Sequence, residues 1–133
     1  MDEQVVTMIS EMVAKAKAAQ KEFESFSQEQ TDEVVRAIGK VIYDRAEELA
    51  RMACEESGMG VYEDKVAKCH GKSKCIWNSL KGKKSVGIIG EDKETGIIRV
   101  AKAKGVIGSV TPVTNPVVTP MCNAMFALKG QNA

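Results

Sequence analysis

At 133 residues and 14.4 kDa, with 44% apolar residues, the chain has the size of one domain with one hydrophobic core. A formal net charge of +1 gives no global electrostatic reason to bind nucleic acid or an anionic membrane. No apolar run approaches the roughly 18 residues that a membrane span needs, and the acidic, polar-interrupted start MDEQVVTMISEMVAKAKAA is not an export segment, so the four cysteines are expected as reduced thiols in a cytoplasmic protein.

In chain order, Val5, Met8, Ile9, Met12, Val13 and Ala16 recur at steps of three and four, which predicts an amphipathic helix closed off by Phe23 and Phe26. Ser27-Gln28-Glu29-Gln30 fits a capping box, in which the Ser27 hydroxyl accepts an early amide and the Gln30 side chain reaches back. The helix that starts there carries Val34, Val35, Ile38, Val41, Ile42, Leu49, Met52 and Ala53 on one face. It is expected to run to Ser57-Gly58, where glycine can take the left-handed cap conformation. A weaker helical pattern follows from Tyr62 to about Leu80, with Val66, Ala67, Ile76, Trp77 and Leu80 apolar and Gly71 as an expected interruption.

Charge is unevenly spread. Met1 to Asp64 holds 15 acids and 7 bases, Lys65 to Lys84 no acids and 7 lysines, and the remainder 3 acids and 5 bases. Lysines at helical spacing are most simply a solvated face; the sharper reading is a docking site for phosphates or an acidic partner.

Beyond the turn at Lys81-Gly82-Lys83-Lys84 the character changes. Residues 85–89 and 97–101 are short β-branched runs joined by the polar, glycine-bounded loop 90–96, the pattern of a β-hairpin. Gly105 to Val110 is more uniformly apolar, as expected of a strand covered on both faces. The chain's three prolines, Pro112, Pro116 and Pro120, follow at four-residue intervals, and Val117 to Leu128 has helical spacing ending at Lys129-Gly130. Residues 105–130 thus read as strand, turn and helix, most of one parallel α/β unit without its second strand, and the chain is expected to be part of a longer one.

Among motifs, Gly71-Lys72-Ser73 resembles the tail of a phosphate-binding loop, but Val66 stands where its first glycine is needed and a helical stretch precedes it. Cys69-His70 and Cys75 lack the spacing of a zinc site and His70 is the only histidine, so no metal is expected. Cys122, one turn inside a helix, is the best-placed thiol, yet no base accompanies it, which leaves packing as its role. Pro112 ends the strand, and Pro116 and Pro120 fall in or near the first helical turn, where a missing amide costs little. Ligands of open α/β sheets sit outside the carboxyl ends of strands. The rigid bend there carries Thr111, Thr114, Asn115 and Thr119, which either line a ligand crevice or only build a turn.

The stretch GVIGSVTPVTNPVVTPMCNAMFALKGQNA resembles the aldehyde dehydrogenase superfamily in its CoA-acylating branch, where the turn reads T-P-x-T-N-P as Thr111 to Pro116 does; hydrolytic members usually have P-W-N-F-P. Upstream, GMGVYEDKVAKCHGKSKCIWNSLKGKKSVGII is similar to the acylating succinate-semialdehyde dehydrogenases. The resemblance implies an α/β fold: an amino-terminal helical part (1–83), an oligomerisation-type β-hairpin (84–103), and the first strand-turn-helix of a Rossmann-like cofactor-binding domain (104–133). The catalytic domain, with the nucleophilic cysteine, lies outside the chain.

The implied reaction converts an aldehyde, CoA and NAD or NADP to an acyl-CoA and the reduced cofactor, with succinate semialdehyde as the aldehyde. By the same resemblance Thr111, Pro112, Val113 and Thr114 line the nicotinamide cofactor, and either Thr114 or Asn115 donates to the oxyanion. Thr119, Cys122 and Asn123 border the substrate entrance, and the hairpin joins subunits into a homodimer or homotetramer. The competing reading is a non-catalytic interaction module that uses the lysine stripe and the hairpin. Neither reading involves nucleic acid, membrane or metal.

Overall fold

A computed structural model describes residues 2–133. Helix α1 (Glu3–Phe23) is capped by Asp2, whose carboxylate accepts from the Gln4 amide at 3.0 Å. Its predicted apolar stripe is present, but Val5, Met8, Ile9 and Met12 are exposed. The helix is anchored at its far end. There Gln20 Nε2 donates to the Gln131 carbonyl, and Phe23 and Phe26 meet edge to face with centroids 5.0 Å apart.

The capping box forms as predicted: Gln30 N donates to Ser27 Oγ (3.2 Å), and Ser27 N donates to Gln30 Oε1 (2.9 Å). The helix it starts is not continuous to Ser57. Arg45 (φ −107°, ψ 23°) divides it into α2 (Gln28–Asp44) and α3 (Ala46–Ser57), although hydrogen bonds still run through the break from Arg45 N to Val41 O and from Leu49 N to Arg45 O. No glycine or proline marks the site. Packing separates the two pieces, since α2 lies against both α4 and α5 whereas α3 lies mainly against α4. Val41 and Met52, expected on the buried face, are exposed. Gly58 closes α3 with φ +61°, as predicted.

Helix α4 (Tyr62–Leu80) passes through Gly71 without interruption, because helical hydrogen bonding and packing on α2, α3 and the later helix at Val118–Lys129 outweigh one glycine. The core is built where α2, α3, α4 and α5 meet, from Val35, Ala46, Cys69, Val118, Met121 and Met125, with Ile38, Ile42, Trp77 and Leu80 around them. Gly39 allows the close approach of α2 to α5: a Cβ there would lie 3.2 Å from Met125 Cε.

The hairpin is β1 (Ile88–Asp92) paired antiparallel with β2 (Ile97–Val100), with a register irregularity between Ile88 and Gly90. Its first strand starts later than the β-branched run predicts. Gln28 captures the preceding residues, its Oε1 accepting from Ser85 N (2.7 Å) and Val86 N (3.1 Å). In the loop, Asp92 Oδ1 accepts from Glu94 N (3.0 Å) and Thr95 N (3.3 Å). Among the described residues the hairpin packs on no other helix or strand, and Ile88, Ile97, Ile98 and Val100 are all at least half exposed.

Residues 105–110 are not paired into a ladder, and Ile107 and Val110 are exposed rather than covered on both faces. The segment makes two sheet-like bonds, Ile107 N to Ala133 O (2.6 Å) and Ala133 N to Gly105 O (3.0 Å), which is the pattern of a parallel bridge between Val106 and Ala133. Between these residues runs α5 (Val118–Lys129). The covered strand expected at 105–110 is therefore replaced by an open segment held to Ala133 by two backbone hydrogen bonds.

The carboxyl end of α5 departs from the expected glycine cap. Gly130 has φ −92°, and Gln131 takes the left-handed position at φ +56°. Gln131 N donates to Leu128 O and Asn132 N to Ala127 O, a Schellman arrangement. The nearly buried Gln131 side chain donates to the carbonyls of Phe26 (2.9 Å) and Phe23 (3.2 Å) beyond α1. Two residues earlier the Lys129 ammonium pairs with the Asp32 carboxylate of α2. No helix among the described residues is long and apolar enough to cross a membrane.

Candidate functional site

The proline segment folds as a tight turn. Asn115 N donates to Pro112 O (3.2 Å), which leaves Val113 and Thr114 at the tip, and the next bonds, Thr119 N to Asn115 O and Met121 N to Val117 O, open α5. Pro112 fixes the start of the turn and Pro116 its exit, while Pro120 sits at the third helical position, where an amide would be unpaired in any case. The tip is accessible: Thr111, Pro112, Val113 and Thr114 are exposed, and Asn115 is half-buried.

The sequence-predicted site residues divide between two sides of α5. On one side Asn123 Nδ2 donates to Ser109 Oγ (2.7 Å), and Asn123, Thr111, Ser109 and Pro120 line a largely apolar groove of about 350 Å³ between the extended segment and the helix. On the other side Asn115 and Pro116 close a cavity of only about 10 Å³ together with Lys65 and Lys68 of α4. Cys122 also belongs to the α4 side. Burial pushes its thiol up from the ordinary range, the nearby Lys72 ammonium pulls it down, and Cys75 raises it further. The net direction is upward, with burial the largest cause. Burial likewise raises Cys69. His70 rests against the Tyr43 ring, centroids 4.6 Å apart, and all four cysteines are free thiols.

The sequence reading did not pair Lys65 and Lys68 with the turn. The signal was present in the acid-free interval from Lys65 to Lys84, but only the docking of α4 beside residues 115–118 brings that interval to the site. A second acid-free stretch runs from Thr95 to Ala133 and carries Arg99, Lys102, Lys104 and Lys129. The first stretch favours an anionic ligand beside the turn over a cationic one; in the second, Lys129 is already paired with Asp32.

Residues 3–133 match the model of the aldehyde dehydrogenase family. The chain belongs to this family. Among its relatives, the succinate-semialdehyde dehydrogenase (acetylating) of Clostridium kluyveri is 62% identical over 93% of this chain and 27% of its own length. A sulfoacetaldehyde dehydrogenase of an Acholeplasma species is 45% identical over 95% of the chain and 26% of its own. The crystal structure of an acetylating aldehyde dehydrogenase from Geobacillus thermoglucosidasius superimposes with a TM-score of 0.94 at 35% identity, covering 98% of this chain and 29% of that one. The chain thus spans less than a third of each relative. Its fold is that of an amino-terminal portion of the family's acylating members, as the T-P-V-T-N-P turn implied.

Proposed function

We propose that the chain is the cofactor-side portion of a CoA-acylating aldehyde dehydrogenase that interconverts succinate semialdehyde and succinyl-CoA with NAD or NADP. The observation that carries this reading is the exposed, proline-braced turn Thr111–Asn115 at the carboxyl end of an extended segment, followed directly by a helix. The residues suit a dinucleotide. The turn offers small hydroxyls and accessible backbone, and no carboxylate occurs anywhere from Thr95 onward to repel phosphates. When bound, the nicotinamide accepts the hydride. Thr111, Pro112, Val113 and Thr114 hold it in place. Thr114 at the turn tip and Asn115 beside it are the two candidate donors to the aldehyde oxygen. Thr119, Cys122 and Asn123 contribute to the walls of the substrate site from two sides of α5. The division at 1–83, 84–103 and 104–133, the role of the hairpin in a homodimer or homotetramer, CoA as co-substrate and a cytoplasmic location belong to the same proposal.

The test is CoA-dependent reduction of NAD and NADP by the intact enzyme carrying this segment, with succinate semialdehyde as substrate. Replacing the true oxyanion donor, by Thr114→Ala or Asn115→Ala, is expected to lower kcat by roughly 100-fold or more. The other substitution should leave kcat within a few-fold. Turnover that ignores CoA would overturn the reading. The exposed hairpin also fits a non-catalytic interaction module, which an enzyme inactive under all these conditions would favour.

A further inference from the structure

The face of α2 that carries Arg36, Lys40 and Tyr43 meets the face of α4 that carries Ser73, Lys74 and Trp77, and the two enclose a groove of about 270 Å³. Helical spacing groups the residues on each side, but only the docking of α2 on α4 brings the two groups together. Gly39 and Ser73, both buried, form the floor. The Ser73 hydroxyl is spent inside α4, donating to Cys69 O at 2.7 Å. Tyr43 and Trp77 are part-buried and supply ring surface to the walls. The charges of the groove do not balance. Lys40 pairs with Asp44, the one acid in the lining, whereas Arg36 and Lys74 are exposed and have no carboxylate partner among the described residues. The Lys74 ammonium instead lies 4.7 Å from the centroid of the Tyr43 ring. The groove shares no lining residue with the cavities beside the proline turn and α5. Ser73, Lys74 and Trp77 fall on the side of α4 turned away from Lys65 and Lys68.

We propose that the α2–α4 groove binds a planar aromatic phosphate, the chemistry of an adenine nucleotide, with the ring against Trp77 and the phosphate on Arg36 and Lys74. The assignment goes beyond the proposed function and uses none of its residues. A purely apolar ligand would leave two cations unused, and a bare inorganic anion would leave two aromatic side chains unused. An aromatic phosphate engages both: a guanidinium pairs bidentately with phosphate oxygens, and a base stacks on an aromatic ring. A cleft of this size, with apolar walls and a few convergent polar groups, has the character of a small-molecule site. The same adenylate chemistry occurs in a free nucleotide and at one end of CoA, so the experiment separates these two sources.

The experiment titrates the intact enzyme carrying this segment with AMP, followed by calorimetry and by the part of the tryptophan emission that Trp77→Phe removes. With NAD present at saturation, so that the dinucleotide site is filled, AMP should still bind saturably and quench that emission. Adenosine and inorganic phosphate, offered separately, should each bind at least about 10-fold more weakly than AMP. Arg36→Met and Lys74→Met should each weaken AMP by roughly 10-fold, whereas Lys83→Met, which removes a charge outside the groove, should change it by no more than about twofold. Lys74→Arg should recover most of the loss. CoA that displaces AMP would identify the adenylate end of CoA as the natural occupant, and CoA that leaves AMP bound would identify a free nucleotide; both support the assignment. No saturable AMP binding, phosphate alone binding as tightly as AMP, loss of AMP binding when NAD is saturating, or an equal loss in Lys83→Met would each overturn it. None of these readouts depends on turnover, so the proposed function stands or falls separately on its CoA-dependent assay.

Discussion

Gly71 illustrates how a single residue can oppose the structure that contains it. A glycine in a helix interior weakens it, and the sequence pattern accordingly suggests an interruption, yet α4 continues past it with open space around the position a Cβ would occupy. Gly71→Ala is therefore expected to stabilise the folded chain by about 0.5–1 kcal/mol, read as a rise in the midpoint of denaturant unfolding at unchanged slope. Gln131 presents the opposite case. It holds a left-handed conformation that glycine would adopt without strain, and its side chain compensates by satisfying carbonyls at the end of α1. Gln131→Gly should relieve the strain and still destabilise, by about 1–2 kcal/mol, because Phe23 and Phe26 lose their donor. A more stable Gln131→Gly variant would show that backbone strain outweighs those bonds. The Gln131 behaviour cannot be read from composition, since its partners Phe23 and Phe26 are about a hundred residues away in sequence.

At the level of elements, the capping box and the Gly58 cap follow from local chemistry, and both are legible in the sequence because a cap engages only its own first or last turn. The hairpin loop is equally local. Hydrogen bonds from the Thr95 side chain and from the Glu94 and Thr95 amides hold the Asp92 carboxyl below its ordinary pKa. A carboxyl depressed in the folded state contributes stability that is fully present above its unfolded pKa and is lost as pH falls through the lower, folded one. Acidification through that window should loosen the loop, seen as a shift of the Glu94 and Thr95 amide resonances that follows the Asp92 titration. Thr95→Val should move that titration back toward the ordinary value. The break at Arg45 is of another kind. Its hydrogen bonds continue, no residue announces it, and it exists because α2 and α3 pack on different neighbours.

For the whole molecule, the feature that matters most is how much apolar surface it leaves uncovered. The stripe of α1 and both strands of the hairpin are exposed, with Ile97 at 58% and Ile98 at 54%. A two-stranded ribbon is marginally stable alone and presents unpaired edges. Under the proposed function the hairpin joins subunits, so Ile97→Lys with Ile98→Lys, which places one charge on each face of β2, should convert the intact enzyme to a smaller species by light scattering. An unchanged mass would remove the hairpin from the interface.

The apolar periodicity of the helices, the Ser27 and Gly58 caps, the hairpin and the proline turn were determined by the sequence itself, because each depends on residues within a few positions of one another, whereas the cap after Lys129 was not. The T-P-V-T-N-P motif also carried the family, since a rigid strand-to-helix turn is a local object. What only the tertiary structure decided are the relations between distant segments: the Lys129–Asp32 pair, Gln28 holding Ser85 and Val86, the split of Asn115 and Asn123 to opposite sides of α5, and the lysine stripe lying beside the turn. Side-chain spacing specifies which face of a helix is apolar or charged, whereas the packing of that helix against others determines what the face meets.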